Sequence, residues 1–160
     1  MKKNLVRLLL ASILIIGNGI ALTACSDKED EVEMTIGVKD LPMEAQTFLS
    51  TYFNGIEIKS IEKQTISTVI MYEVELQNGF DIMFNSSGVW QEVDAPDGKT
   101  LPSGIAPEAI ETYVNQNYPD YGINEINKTG NGYNVELNDT IGTELEFNLL
   151  GEFVRVITSF

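Results

Sequence analysis

The sequence contains no histidine and only one cysteine, Cys25. The absence of histidine excludes nucleophilic sites of the Ser-His-Asp and Cys-His types and the common zinc sites that use histidine. Neither a glycine-rich phosphate loop nor a calcium loop of the EF-hand type occurs. A lone cysteine cannot form a disulfide within the chain, so the fold must be stabilised by its hydrophobic core. The sequence therefore predicts a non-enzymatic protein without a cofactor or a metal.

Basic residues are scarce as well. There are 10 lysine and arginine residues against 24 acidic ones, which gives a formal net charge of −14. Removal of residues 1–24 would leave 7 basic residues against the same 24 acidic ones, a net charge of −17. Such a surface repels the phosphates of nucleic acids and of anionic lipid headgroups. We therefore expect no nucleic-acid partner.

The chain begins with a positively charged segment that is followed by a short apolar run over residues 8–16. A membrane-spanning helix is one interpretation of this run, but a span needs about 20 apolar residues. Gly17, Asn18 and Gly19 interrupt the run early, and small residues follow over 21–24. This order is typical of a secretory signal peptide, which we assign to residues 1–24.

Leu22-Thr23-Ala24-Cys25 resembles a bacterial lipobox. The resemblance implies lipid attachment to the Cys25 sulfur and cleavage before Cys25, so that the mature protein is anchored to a membrane through its lipid. The acidic residues after Cys25 resemble the surface-export signal of Bacteroides-group lipoproteins, although the same residues would serve as a plain spacer. We predict an acidic tether over 25–38 and an outer-membrane lipoprotein, with periplasmic and cell-surface orientations both open.

The remaining sequence contains an internal repeat. With a constant shift of 65, residues 41–63 match residues 106–128 in proline, apolar and aromatic positions. Residues 71–78 then match 132–139, and residues 80–93 match 143–156. We predict a first repeat over 39–95, a linker rich in turn residues over 96–105 and a second repeat over 106–160.

Each repeat is predicted to contain one helix followed by strands. Ala45, Phe48, Leu49 and Tyr52 have the spacing of one helical face, and the corresponding face of the second repeat consists of Ile110, Tyr113, Val114 and Asn117. Apolar and polar residues alternate over 71–76, 80–85, 132–137 and 144–148, as in a sheet with one buried face. The predicted fold class is α+β, with the helices packed on one face of an antiparallel sheet.

Residues 85–88 suit a hairpin turn with Gly88 in the left-handed conformation. This turn would place Phe84 opposite Trp90 on the inner face of the sheet. In the second repeat Gly151 and Phe153 would take the places of Gly88 and Trp90.

These features resemble the PepSY-like family of secreted and lipoprotein domains, which is described as similar to β-lactamase-inhibitor proteins. The matching residues of the first repeat are Leu41-Pro42, Ala45, Phe48, Tyr52-Phe53, 72–76, Phe84-Asn85, Gly88 and Trp90. Those of the second are Pro107, Ile110, Tyr113, 117–119, 132–133, 135–137, Phe147-Asn148 and 151–153. The resemblance implies a tandem pair of units with helices on one side of an antiparallel sheet. Function does not follow from such core and turn positions.

Two features of the predicted outer sheet face are candidates for function. The first is an apolar patch rimmed by charge, which is typical either of a binding surface or of a face partly covered by the rest of the chain. Its residues are Met71, Met83, Val89, Val93, Glu73 and Glu75. The second is a set of outward carboxylates, which suits a solvated face or a glycosidase-type acid/base pair. These are Glu73, Glu75, Glu136, Glu144 and Glu146.

Asp139-Thr140-Ile141 resembles the O-glycosylation motif of Bacteroides-group exported proteins, with Thr140 as the acceptor. A plain polar loop is the alternative.

Three functions are consistent with these features. The first is a non-catalytic envelope lipoprotein that binds an unidentified protein or peptide, with an inhibitory role left open. The second is a surface lipoprotein that binds or cleaves carbohydrate through its outward carboxylates. The third is a structural component of the envelope.

Overall fold

The computed structural model describes residues 31–157. The predicted signal peptide, Cys25 and the start of the predicted tether lie outside these residues. The elements are β1 (Glu31–Thr35), a 3-10 turn (Val38–Asp40), α1 (Met43–Tyr52), β2 (Ile58–Ile66), β3 (Val69–Leu76), β4 (Asp81–Asn85), β5 (Trp90–Asp94), α2 (Glu108–Asn117), β6 (Ile123–Thr129), β7 (Gly132–Leu137), β8 (Glu144–Asn148) and β9 (Phe153–Ile157).

The nine strands of residues 31–157 form one antiparallel sheet, in which each strand pairs with the next strand in the chain. The order of one helix followed by four strands occurs twice, as α1 to β5 (the first unit) and as α2 to β9 (the second unit). This architecture confirms the predicted mixture of helices and antiparallel strands, and most of it is sheet.

Both helices lie on the same face of the sheet. Phe48 of α1 packs edge-on against Phe84 of β4 with ring centroids 5.5 Å apart, and Tyr113 of α2 packs in the same way against Phe147 of β8 at 5.4 Å. Under the helices runs an inner row of apolar side chains, each directly opposite the next across eight strands. The inner row is Ile61, Val74, Ile82, Val93, Ile126, Val135, Leu145 and Val156.

The helical faces largely agree with the sequence. Ala45, Leu49, Ile110 and Val114 are buried, as predicted. Asn117 is an exception, because it is exposed and its side-chain amide donates a hydrogen bond to the Tyr113 carbonyl at 2.9 Å. It therefore stabilises the last turn of α2 and does not contribute to the core.

The two predicted hairpin turns are confirmed. Phe84 lies opposite Trp90, and Phe147 lies opposite Phe153. Gly88 and Gly151 have φ values of +83° and +77°. A Cβ on Gly88 would lie 2.8 Å from the backbone nitrogen of Ala45, and a Cβ on Gly151 would lie 3.1 Å from the Cβ of Ala109. Each glycine therefore lies against the start of a helix.

The first strand corrects the predicted tether. Residues 31–35 lie within the segment 25–38, yet they form β1 and pair with Glu62–Ile66 of β2. Residues 32–35 are all exposed, so the pairing relies on the backbone hydrogen bonds that the edge of β2 offers. Hydrophobic periodicity does not detect a strand of that kind.

The predicted linker is held firmly on β6. The side-chain amide of Asn124 donates hydrogen bonds to the carbonyls of Ala95, Pro96 and Lys99 at 3.2, 3.3 and 2.9 Å. The Leu101 N–H also donates to the Ile123 carbonyl at 2.8 Å. Together with the pairing of β5 and β6, these bonds join the two units into a continuous sheet.

Candidate functional site on the outer face of the sheet

The outer face, the side of the sheet away from the helices, carries a line of acidic side chains. Each lies directly opposite the next across six neighbouring strands, β3 to β8. This acidic row is Glu75, Asp81, Asp94, Glu125, Glu136 and Glu144. Like charges directly opposite each other destabilise a sheet. The arrangement therefore opposes folding, and such local conflicts are typical of functional surfaces.

A second line of outward side chains, the central row, runs beside the acidic row. It consists of Glu62, Glu73, Met83, Glu92, Asn127, Asn134, Glu146 and Arg155. Lys59 pairs with Glu75 at 2.5 Å, and Arg155 pairs with Glu146 at 2.6 Å. These two ion pairs lie towards the ends of the rows. Most side chains of the two rows are carboxylates, including those in the middle of the outer face.

Glu92 lies in that middle region, between Met83 and Asn127. Burial first, and then the charges of Glu125, Asp94, Glu73 and Asp81 in that order of importance, together raise the pKa of Glu92 to about 8. The Glu92 carboxyl therefore retains its proton at neutral pH in most molecules. A cationic group placed there would displace this proton and gain a further negative charge to bind.

The structure brings together only part of the predicted apolar patch. Met71, Glu73 and Glu75 face outwards, as predicted. Met83 also faces outwards, but it is only 7% exposed because the neighbouring side chains cover it. Val89 is exposed in the β4–β5 turn. The outer face is therefore acidic and carries little exposed apolar surface.

The placement of Val93 on the outer face is wrong. Val93 is fully buried at 0% exposure and belongs to the inner row. A β-bulge between the Met83 and Phe84 pairs inserts Gln91 into β5. One extra residue reverses the faces of those that follow, so Glu92 points outwards and Val93 points inwards.

The same kind of bulge occurs in the second unit, between the Glu146 and Phe147 pairs. There Val154 is the extra residue, Arg155 faces outwards and Val156 faces inwards. The prediction assumed strict alternation after each hairpin, so it did not place Glu92 and Asp94 on the outer face. The signal for the bulge in the sequence is that strict alternation from Trp90 would place the charged Glu92 inwards and the apolar Val93 outwards.

The predicted outward carboxylates are in the expected places, and Glu136 lies directly opposite Glu144. A glycosidase pair needs one protonated and one ionised carboxyl on either side of a bound sugar. Glu92 and its neighbours have that electrostatic character, but they lie on a sheet face and line neither of the clefts described below. The carboxylates of the outer face would attract a cationic surface.

Two clefts lie elsewhere. The larger, about 550 Å³, lies between the units beside the start of α2, where the Lys128 ammonium is 3.9 Å from the centre of the Trp90 ring. Burial lowers the pKa of Lys128. The smaller, about 140 Å³, lies between the linker, α2 and β6. Among residues 31–157, no group of three or more Asp, Glu, His or Cys side chains is placed to hold a metal ion.

Thr140 is exposed in the β7–β8 loop, where a sugar could be attached without a clash with the core. Burial alone would raise the pKa of Asp139, but hydrogen bonds from the Thr143 side chain and from the backbone of Thr143, Gly142 and Ile141 outweigh it and lower that pKa. The loop is therefore fixed by Asp139. O-glycosylation of Thr140 stays a prediction, as does lipid attachment to Cys25, which lies outside the described residues.

The family model described as “Putative beta-lactamase-inhibitor-like, PepSY-like” matches the chain in two regions, residues 28–82 and 70–155. No curated protein sequence matches the chain. Within residues 31–157, no helix is both long enough and apolar enough to cross a membrane.

Several solved structures are similar. One is described as “a putative calcium-regulated periplasmic protein” from Bacteroides thetaiotaomicron, with 30% identity and a TM-score of 0.73 over 79% of this chain and 97% of that one. A second, a “putative periplasmic protein” of the DUF2874 family from Bacteroides vulgatus, has 28% identity and a TM-score of 0.72 over 84% and 100%. A third, a “putative periplasmic protein of unknown function” from the same species, has 28% identity and a TM-score of 0.72 over 80% and 99%.

Proposed function

The chain belongs to the PepSY-like, beta-lactamase-inhibitor-like family, and we propose that it is a non-catalytic binding module of the cell envelope whose outer face holds a basic segment of a partner protein. The observation that carries this proposal is the acidic row, a line of six carboxylates directly opposite one another on the face that neither α1 nor α2 covers. The proposed setting is the periplasm or the cell surface, with Cys25 as the lipid anchor, and the periplasmic descriptions of similar proteins support it.

The chemistry of the outer face favours an extended basic segment. The carboxylates of the acidic row repeat from strand to strand, at intervals of roughly 4.8 Å across an antiparallel sheet. Lysine and arginine side chains of a partner could each meet one or two of them while the partner's backbone crosses the strands. Half-burial of these carboxylates reduces solvent screening and strengthens each such ion pair.

The experiment measures the affinity of a synthetic peptide with alternating arginine and valine residues by calorimetry. The test variant replaces Glu125 and Glu136 with glutamine. The control replaces Glu44 and Glu108 in the same way, because both are exposed in the first turns of α1 and α2, on the opposite side of the sheet. Both variants lose two negative charges. Two surface ion pairs contribute about 1–2 kcal/mol, so the test variant should weaken binding roughly tenfold and the control less than about twofold.

Equal losses in the two variants would show that only overall charge matters, and the proposal would fail. Calcium provides a second comparison, because one similar protein is described as calcium-regulated. If calcium ions bind tightly to the wild type and the peptide does not, the ligand of the outer face is a metal ion and the proposed partner is wrong.

We extend the proposal to inhibition, which the family description supports. In that case the basic segment belongs to a secreted enzyme. The protein is added in molar excess to a set of β-lactamases while hydrolysis of a chromogenic cephalosporin is followed. A saturable loss of rate that the Glu125→Gln, Glu136→Gln variant abolishes would support inhibition. Unchanged rates would reject β-lactamase inhibition and leave the binding proposal to the peptide measurement.

A further inference from the structure

The last strand, β9, forms one end of the sheet. One edge of β9 pairs with β8, and no other strand of residues 31–157 pairs with its far edge. Natural proteins usually protect such an edge with charges, proline or a very short strand. β9 has five residues, and its only charged residue is Arg155. Its exposed apolar side chains include Val154 at 52% and Val156 at 45%.

The chain itself shows how an edge of this kind is covered. In the first unit β5 occupies the place that β9 has in the second, with the same hairpin and the same bulge. The far side of β5 is covered by β6, and Val93 lies directly opposite Ile126. Val156 corresponds to Val93 in this comparison, but no strand of residues 31–157 lies opposite it on the far side of β9. The inner row therefore stops at a side chain that is half exposed.

We propose that β9 pairs antiparallel with β9 of a second copy of this chain. The two copies are related by a twofold axis that passes midway between their Val156 residues. An axis perpendicular to the sheet keeps the helices of both copies on one side. The inner row then continues from Val156 to Val156 of the second copy and onwards through its sheet. The pairing covers the exposed Val156, as β6 covers Val93 of β5. This inference does not depend on the function proposed for the outer face.

The charges on β9 favour this register. If the axis passed through Arg155, two guanidinium groups would lie directly opposite each other, which is unfavourable. With Val156 at the axis, Arg155 of each copy lies opposite Ile157 of the other. Arg155 then lies on the same row as Glu144 of the other copy, with only Ile157 between them. A pair of five-residue strands buries little area, so the dimer is weak. Salt strengthens it by screening the net negative charge of each copy.

The test is disulfide crosslinking of the full chain in its native membrane, with copper(II)–phenanthroline as the oxidant. Directly opposite residues of an antiparallel pair bring their Cβ atoms to about 4.5–5.5 Å, close to disulfide range. Val156→Cys should give a product of twice the mass. The matched control is Val32→Cys, which is similarly exposed on β1 at the opposite end of the sheet and should give at least tenfold less. The wild type, with Cys25 alone, should give none.

A second measurement does not rely on cysteine. Sedimentation of the detergent-solubilised chain should show self-association that increases with salt, and Val156→Arg should abolish it while Val32→Arg retains it. Circular dichroism confirms that both variants are folded. The proposal is overturned by equal crosslinking at Val32 and Val156, by a crosslinked product of another mass, or by a wild type that is monomeric at all concentrations.

Discussion

Val93 of β5 lies directly opposite Ile126 of β6, and both side chains are fully buried. This pair joins the two units, because β5 is the last strand of the first unit and β6 is the first strand of the second. The inner row therefore passes through the junction without a gap. The linker between these strands has to follow β6 closely, and Asn124 holds it there.

Replacement of Asn124 by alanine should destabilise the protein. Asn124 is 2% exposed, and its amide group is the donor to three carbonyls of residues 95–99. Loss of a buried donor leaves these acceptors unsatisfied, at a cost of about 2–3 kcal/mol. Urea unfolding measures the change, and Asn127→Ala on the outer face is the control, with an expected cost below about 1 kcal/mol. Equal costs at the two positions would contradict the role assigned to Asn124.

Gly88→Ala should cost more stability than Gly55→Ala. Both glycines have positive φ values, +83° and +79°, so alanine is strained at either position by about 1 kcal/mol. A Cβ on Gly88 would also lie 2.8 Å from the Ala45 nitrogen and from the Pro42 side chain, whereas a Cβ on Gly55 meets nothing within 4 Å. The extra cost at Gly88 should be about 1–3 kcal/mol in urea unfolding. Similar costs would show that α1 shifts to make room for the added methyl group, and they would contradict the steric role assigned to Gly88.

Glu92→Gln should remove a pH dependence of stability. Between pH 4.5 and pH 8, folded Glu92 holds a proton that the unfolded chain has released. The free energy of unfolding therefore falls as pH rises through this window, and above it the contribution of Glu92 no longer changes with pH. Glutamine does not titrate, so the variant should gain on the order of 2 kcal/mol relative to the wild type between pH 4 and pH 9, after allowance for solvent screening. Urea unfolding across this range provides the measurement, and a constant difference would contradict the raised pKa.

Cys25→Ser should release the protein from the membrane fraction. Serine cannot accept the lipid that the lipobox resemblance implies, and no helix of residues 31–157 provides an alternative span. Fractionation and intact-mass measurement of the wild type and the variant test this. A variant that stays with the membranes at an unchanged mass would rule out lipid attachment at Cys25.

The sequence by itself determined the elements whose side chains are buried in a regular pattern. The helical spacing of Ala45 and Leu49 and the alternation around Val74 and Val135 predict α1, β3 and β7, since burial of one face requires that period. The glycines at 88 and 151 predict the hairpins because each turn needs a left-handed residue. The repeat and the family resemblance followed from the same positions.

Only the tertiary structure decided which residues share the outer face. The bulge at Gln91 exchanges the faces of Glu92 and Val93, and local sequence does not specify it because it forms between two strands. β1 forms only because β2 offers it an edge. The acidic row and the raised pKa of Glu92 arise from the register of six strands, in which residues far apart in the chain become neighbours. Periodicity reports what each strand buries, whereas the site depends on how the strands align.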